Sequence, residues 1–312
     1  MSVDQTEQLA VRLLTMIKPG NCIAWIGSGL SKPAKYPGWV EIVEKLCRVC
    51  NTPYPAVNGP AEPNQLIDLA EQCKQANCTA YEGTMASEYG KPVVADRRAY
   101  FYLAQLPFKA YITTNYDPLL RDAVRAQRGK YCQYPVLHVP QIERDKTAFY
   151  IHGLARDVNN QPCGKNLVLA KSDFGKAYDD GGATANFIHS VLTTYPLVFI
   201  GCSLDEPAVN DCLNRIRRVH EQVMEAFPEA PIPQRMIFLA RTLRTERQDG
   251  MIRQVRDADS ELSENARYRS FGIEIVRYEM TEGDDHAEIE NILERVLRMS
   301  GAPQPTGPIL AL

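Results

Sequence analysis

A chain of 312 residues with 45% apolar and 23% charged side chains is long enough, and apolar enough, to bury a substantial core. Its net charge of −3 does not ask for nucleic acid as a partner, and no apolar run reaches the ~18 residues that a membrane helix needs. Nine cysteines, an odd number dispersed through apolar and helical segments, read as reduced thiols, so the expectation is a cytoplasmic protein that binds neither membrane nor nucleic acid.

Residues 1–18 pattern as an amphipathic helix through Leu9, Leu13, Met16 and Ile17, interrupted by acids, and read as neither a signal peptide nor an anchor. An apolar strand at Ile23–Ile26 then meets Gly27-Ser28-Gly29-Leu30-Ser31, the pattern of a buried strand turning sharply towards a helix. Lys32 stands where a dinucleotide fingerprint would have its third glycine, and neither a P-loop nor a nucleophile elbow is spelled. Residues 32–38 are too rich in proline for a helix interior, and a helix resumes at Trp39. Cys47 and Cys50 fall on its apolar face and read as core rather than metal ligands. About 51–106 forms a helical insertion between the first two strands, opened by a Pro/Asn/Gly loop.

From residue 110 strands and helices alternate. Ala110–Thr114 runs into Asn115-Tyr116-Asp117-Pro118, with Asp117 placed to cap a helix and Pro118 at its first position. Short strands are expected at 135–139, 148–151 and 167–169, then at Leu197–Ile200, which meets Gly201-Cys202-Ser203. A helix from Pro207, a strand at 236–240, a polar helical region, a strand at 273–278 and a helix at 286–299 complete the pattern. Such alternation predicts an α/β fold with a doubly wound, mostly parallel, Rossmann-like sheet in one domain over residues 1–300. The tail 301–312 ends in Ile309-Leu310-Ala311-Leu312 and reads as a docking segment for a neighbouring copy or a partner.

In a doubly wound sheet ligands bind beyond the carboxyl ends of the strands, where the strand order reverses. The polar and small residues gather at those ends: Gly27 to Ser31, Thr113 to Asp117, His152-Gly153, and Gly201 to Asp205. Glycines admit close backbone approach, and exposed turn N–H groups receive phosphate. Asn115 offers donors and an acceptor, Asp117 either meets ribose hydroxyls or caps its helix, and Ser203 either bonds a phosphate or caps the helix from Pro207. His152 directly follows an apolar strand, and histidine titrates near neutrality, which suits proton transfer. Cys202 is expected to be buried by its neighbours and reads as inert.

The four motifs in this order resemble the sirtuin family. Gly27-Ser28-Gly29-Leu30-Ser31 is similar to that family's GAG-(I/V)-S loop, Thr113-Thr114-Asn115-Tyr116-Asp117 to its T-Q-N-(I/V)-D motif, His152-Gly153 to its catalytic His-Gly, and Gly201-Cys202-Ser203-Leu204 to its G-T/S-S-L turn. Leu167 to Leu169 followed by Asp173-Phe174 is similar to the strand and aromatic that come after the histidine. Two departures stand beside the resemblance. No four-cysteine zinc module follows His152, and Tyr36-Pro37-Gly38-Trp39 replaces the G-I-P-D-F-R loop.

The resemblance, with those departures, implies the non-deacylating branch found in bacterial antiphage systems, and an NAD glycohydrolase that releases nicotinamide and ADP-ribose. It implies Asn115 and His152 as catalytic residues, and Gly27, Ser28, Gly29, Ser31, Thr114, Asp117, Gly201 and Ser203 as the residues that bind NAD, with no metal. It implies a homo-oligomer working with a partner protein such as a HerA-type hexameric ATPase or a short Argonaute-type protein. The alternatives are an NAD-dependent deacylase or ADP-ribosyltransferase, and a non-enzymatic subunit that senses NAD or ADP-ribose.

Overall fold

The structure is a computed structural model that describes residues 3–55, 62–91, 98–179, 181–248, 251–279 and 286–301. The expected docking tail from 302 onward lies outside the described residues. Strands Ile23–Ile26 (β1), Ala110–Thr113 (β2), Lys130–Gln133 (β3), Thr147–Tyr150 (β4), Leu197–Ile200 (β5) and Arg235–Ala240 (β6) belong to the main sheet. Leu243–Gln248 (β7) and Met251–Arg256 (β8) form a separate antiparallel pair, and Ile273–Tyr278 (β9) returns to the main sheet.

The main sheet has seven strands in the order β3-β4-β2-β1-β5-β6-β9, all parallel. The chain starts in the middle at β1, builds one half through β2, β3 and β4, then crosses to β5 on the other side. That reversal is the expected doubly wound topology. Side chains alternate between two buried faces. Ala24 and Ile26 enter the core cluster on one side, and Ile23 and Trp25 the cluster on the other, which is why β1 reads as an unbroken apolar run. The register sets the strand ends level: Ile26 pairs with Thr113 on one side and with Ile200 on the other. Gly27, Thr114 and Gly201 therefore emerge side by side.

The insertion between β1 and β2 contains helices Pro63–Ala76, Cys78–Tyr89 and Arg98–Gln105. Pro63 sits in the first turn of one, and Asn77 caps the next by accepting from the Ala80 N–H at 3.0 Å. Tyr81, Tyr89, Tyr100 and Tyr102 from these helices are buried. Cys47 and Cys50 are buried as expected, with Cys47 Sγ 3.5 Å from the buried Cys73 Sγ. Among the described residues no helix is long and apolar enough to cross a membrane, and no group of three or more His, Cys, Asp or Glu is arranged to hold a metal.

Five expectations need correction. The strand placed at 135–139 is β3, at Lys130–Gln133; Pro135 and Pro140 lack the N–H a ladder needs, whereas the edge strand itself has little apolar signal. Leu167 to Leu169 are buried and extended but join no sheet, and Val168 N–H donates to His152 O at 2.9 Å. The polar region after 240 contains the β7–β8 hairpin before a helix at Ala258–Ser270. Residues Ser28–Ala34 form a seven-residue 3-10 helix that contains Pro33, and Pro118 is the N-cap, not the first helical residue, of the helix Leu119–Ala126.

Candidate active site

A cavity of about 400 Å³ lies beyond the carboxyl ends of the central strands. Gly27, Ser28, Gly29 and Ser31 line it from the end of β1, and Thr114, Asn115 and Asp117 from the end of β2. His152 enters from the end of β4, and Gly201 and Ser203 from the end of β5. All ten residues singled out in the sequence thus share one wall system, because the level strand ends bring four distant segments together.

The glycines answer first to the protein itself. Gly27 N–H donates to Ile200 O at 3.0 Å, and Gly29 N–H to Gly201 O at 2.9 Å. A Cβ on Gly27 would sit 2.4 Å from Gly201 O, and one on Gly29 2.9 Å from the same oxygen. Gly201 has φ +67, and a Cβ there would meet Leu30 N at 2.7 Å. Close packing of the β1 and β5 turns therefore requires these glycines before any ligand does, and both amides are already engaged. The exposed hydroxyls of Ser28 and Ser203 and the exposed Lys32 remain at the cavity wall. Ser203 does not cap the following helix, whose N-cap is Glu206.

Two polar networks stand behind the wall. In the first, Ser31 Oγ donates to Asp117 Oδ2 at 2.8 Å. With that proton committed, the Tyr100 hydroxyl donates to Ser31 Oγ at 2.7 Å. Asn115 Nδ2 donates to Ser31 Oγ at 3.2 Å and to the Tyr100 oxygen at 3.3 Å. The Asn115 backbone N–H is held by Thr113 Oγ1 at 3.0 Å, which itself donates to Ile26 O. Asp117 Oδ1 accepts from Leu119 N–H at 3.1 Å, so both of its oxygens are engaged and it supports Asn115 through Ser31. Burial raises the Asp117 carboxyl to about 6, against which the bonds from Ser31 and Leu119 act. Burial also raises the Tyr100 hydroxyl well above its ordinary value, so it remains a donor.

In the second network His152 Nε2 lies 2.7 Å from the Tyr178 hydroxyl and 3.0 Å from Glu206 Oε1, and Tyr178 donates to the same Oε1 at 3.0 Å. Tyr116 stacks on the imidazole at 6.5 Å between centroids, while Phe174 and Tyr178 meet it edge-on. Gly153 follows with φ +84, and a Cβ there would strike Asn166 O at 2.1 Å. Cys202 donates its thiol to Trp25 O at 3.3 Å, and burial raises its pKa, which agrees with an inert role.

Residues 109–259 match the family model described as a SIR2-like domain. The matched span takes in β2 with Asn115, the His152 turn and the β5 end of the cavity. Similar relatives include the protein named NAD(+) hydrolase ThsA of Bacillus cereus, 26% identical over 65% of this chain and 41% of its own length. Defense-associated sirtuin 2 of Bacillus subtilis is 25% identical over 65% of this chain and 20% of its own length. The chain thus spans less than half the length of these relatives. A solved structure titled as a SIR2 homolog–NAD complex aligns over 93% of this chain and 94% of that one, with 13% identity and a TM-score of 0.44.

Sequence reasoning missed Tyr100, Tyr178, Glu206 and Lys32. Tyr100 is read as an apolar position of a helical stretch, though a buried tyrosine needs a partner for its hydroxyl. Glu206 falls in the same strand-end loop as Ser203, one residue past the motif. Lys32 is the departure from the fingerprint, and it lines the cavity as a cation.

Proposed function

We propose that this chain hydrolyses NAD to nicotinamide and ADP-ribose, and that it does so as an effector subunit in antiphage defence. The observation that carries the reading is the meeting of Asn115 and His152 in one cavity of about 400 Å³, at a strand-order reversal, beside hydroxyls and a lysine suited to a pyrophosphate. The names of the relatives, NAD(+) hydrolase and defense-associated sirtuin, support it.

Cleavage of the nicotinamide–ribose bond builds oxocarbenium character on the ribose, so the site has to hold that sugar and deliver water to it. In this reading Ser28, Lys32 and Ser203 bind the pyrophosphate, with Thr114 beside them, and Gly27, Gly29 and Gly201 shape the turn that lets it approach. Asn115, held through its Nδ2 by Ser31 and Tyr100, turns its amide oxygen to water or a ribose hydroxyl. Asp117 anchors that arrangement through Ser31. His152 takes the proton as general base. The subunit acts as a homo-oligomer with a partner, a HerA-type ATPase or a short Argonaute-type protein.

The test compares the parent with Asn115→Ala and His152→Ala, measuring NAD affinity and nicotinamide release on the same preparations, with and without the partner. Loss of release with NAD affinity retained supports the reading. Folded His152→Ala protein that cleaves NAD at the parent rate rejects His152 as the base, and transfer to an acyl-peptide acceptor in place of water rejects hydrolysis.

A further inference from the structure

The carboxylate of Glu206 is oddly placed for a structural group. It is the N-cap of the 20-residue helix Pro207–Ala226, yet its side chain makes no capping hydrogen bond. Its side chain is 14% exposed, and among the described residues it pairs with no lysine or arginine. Its partners are His152 and Tyr178. A carboxylate withdrawn from water without a cation is costly, and the helix N-terminus relieves only part of that cost. The remaining compensation comes from hydrogen bonds to the imidazole and the phenol.

With Glu206 ionised, the proton inventory of these three groups has one consistent solution. Tyr178 has a single proton, and it goes to Glu206 Oε1 at 3.0 Å, because an ionised carboxylate only accepts. Towards His152 Nε2, at 2.7 Å, the phenol oxygen must then accept. Nε2 also faces Oε1 at 3.0 Å, where an unprotonated nitrogen would set lone pair against lone pair. Both contacts therefore require a proton on Nε2. The ring cannot escape by flipping, since Tyr116 covers one face and Phe174 and Tyr178 close on its edges. No hydrogen bond to Nδ1 is made among the described residues.

We infer that Glu206 is a positioning residue which, with Tyr178, holds the proton of His152 on Nε2 and leaves Nδ1 as the basic nitrogen of a residue that lines the cavity. This rests on the reading of His152 as general base. When Nδ1 takes a proton from water as the oxygen's electron pair goes to the ribose carbon and the bond to nicotinamide breaks, the ring becomes an imidazolium. Its Nε2–H is then already paired with a carboxylate, so the positive charge forms beside its counter-ion. The logic is that of an acid holding a catalytic histidine in one tautomer. Two other acids of these segments are paired with cations: Asp173 with Lys74, and Asp205 with Arg267.

The test has a spectroscopic and a kinetic arm. In the parent protein with 15N-labelled histidine, neutral His152 shows a protonated Nε2 and an unprotonated Nδ1; the opposite pattern overturns the inference without any mutation. Glu206→Gln keeps the size of the side chain and removes its charge. It lowers kcat for nicotinamide release by about 10- to 100-fold with KM within about twofold, whereas Tyr178→Phe, which leaves the direct contact to Oε1, lowers kcat by roughly threefold to tenfold. A parent-like kcat in folded Glu206→Gln, or an effect confined to KM, overturns the inference, the second because it makes Glu206 a ligand contact. His152→Ala run alongside separates the two failures. If it keeps the parent rate, the reading of His152 as base falls, while the nitrogen shifts still decide the tautomer.

Discussion

The two polar networks behind the cavity differ in how they hold their key side chain. Asn115 is fixed by a chain of donors that ends on one buried carboxylate, Asp117, two links away. His152 touches its carboxylate, Glu206, directly and through a single phenol. The first network is built to orient a neutral amide, and its charge sits at a distance. The second brings a carboxylate against the group that, in the proposed mechanism, gains a positive charge during proton transfer. A network that only positions tolerates a raised carboxyl pKa, but one that stabilises a forming cation needs its acid ionised.

Breaking that comparison at its strongest point, His152→Ala should lower nicotinamide release by roughly two to four orders of magnitude with NAD affinity retained. Asn115→Ala should lose turnover to a similar degree, and its melting temperature should change little, since its side chain ends at the cavity wall.

Asp117 sharpens the contrast through pH. Its carboxyl is raised by burial from 3.8 to about 6, so its protonated form stabilises the fold below pH ~4, and that stabilisation is lost as pH rises through about 6. Asp117→Asn has no such titration. Urea midpoints taken from pH 4 to 8 should therefore shift in favour of the variant as pH rises, by at most about 3 kcal/mol, and level off above about 7. A difference independent of pH would place the raised pKa in error.

Gly29→Ala should cost about 1–3 kcal/mol by urea denaturation, because its Cβ would lie 2.9 Å from Gly201 O in the turn itself. An alanine variant of parental stability that fails to bind NAD would instead assign the glycine to the ligand. The smallest effect belongs to Tyr100→Phe, which removes one donor to Ser31 and one acceptor for Asn115. It should cost about 1 kcal/mol of stability and lower turnover severalfold without changing NAD affinity.

The sheet core and the cavity wall were legible because β1, β2, β4 and β5 are short apolar runs that each end in small or polar residues. The edge strand β3 was not, since Lys130-Tyr131-Cys132-Gln133 faces solvent in part and carries no apolar run. The β7–β8 hairpin was hidden by charge, although Asp249-Gly250 between its strands is a hairpin signature. Of the site, the strand ends were read by topology, but Tyr100 and Tyr178 come from helices whose polar tips look apolar in a periodicity analysis. Glu206 was passed over because it lies one residue past the strand-end stretch Gly201 to Asp205. The glycines were assigned to a ligand on pattern alone, and the structure shows the β5 turn pressing on them.

The central claim is that this cavity breaks the nicotinamide–ribose bond with water. Its most direct measurement is the product balance from NAD incubated with the purified chain, alone and with its partner. The account predicts nicotinamide and ADP-ribose in equal amounts, formed by the parent and abolished in His152→Ala. NAD that binds at full occupancy and is recovered intact under both conditions would contradict it.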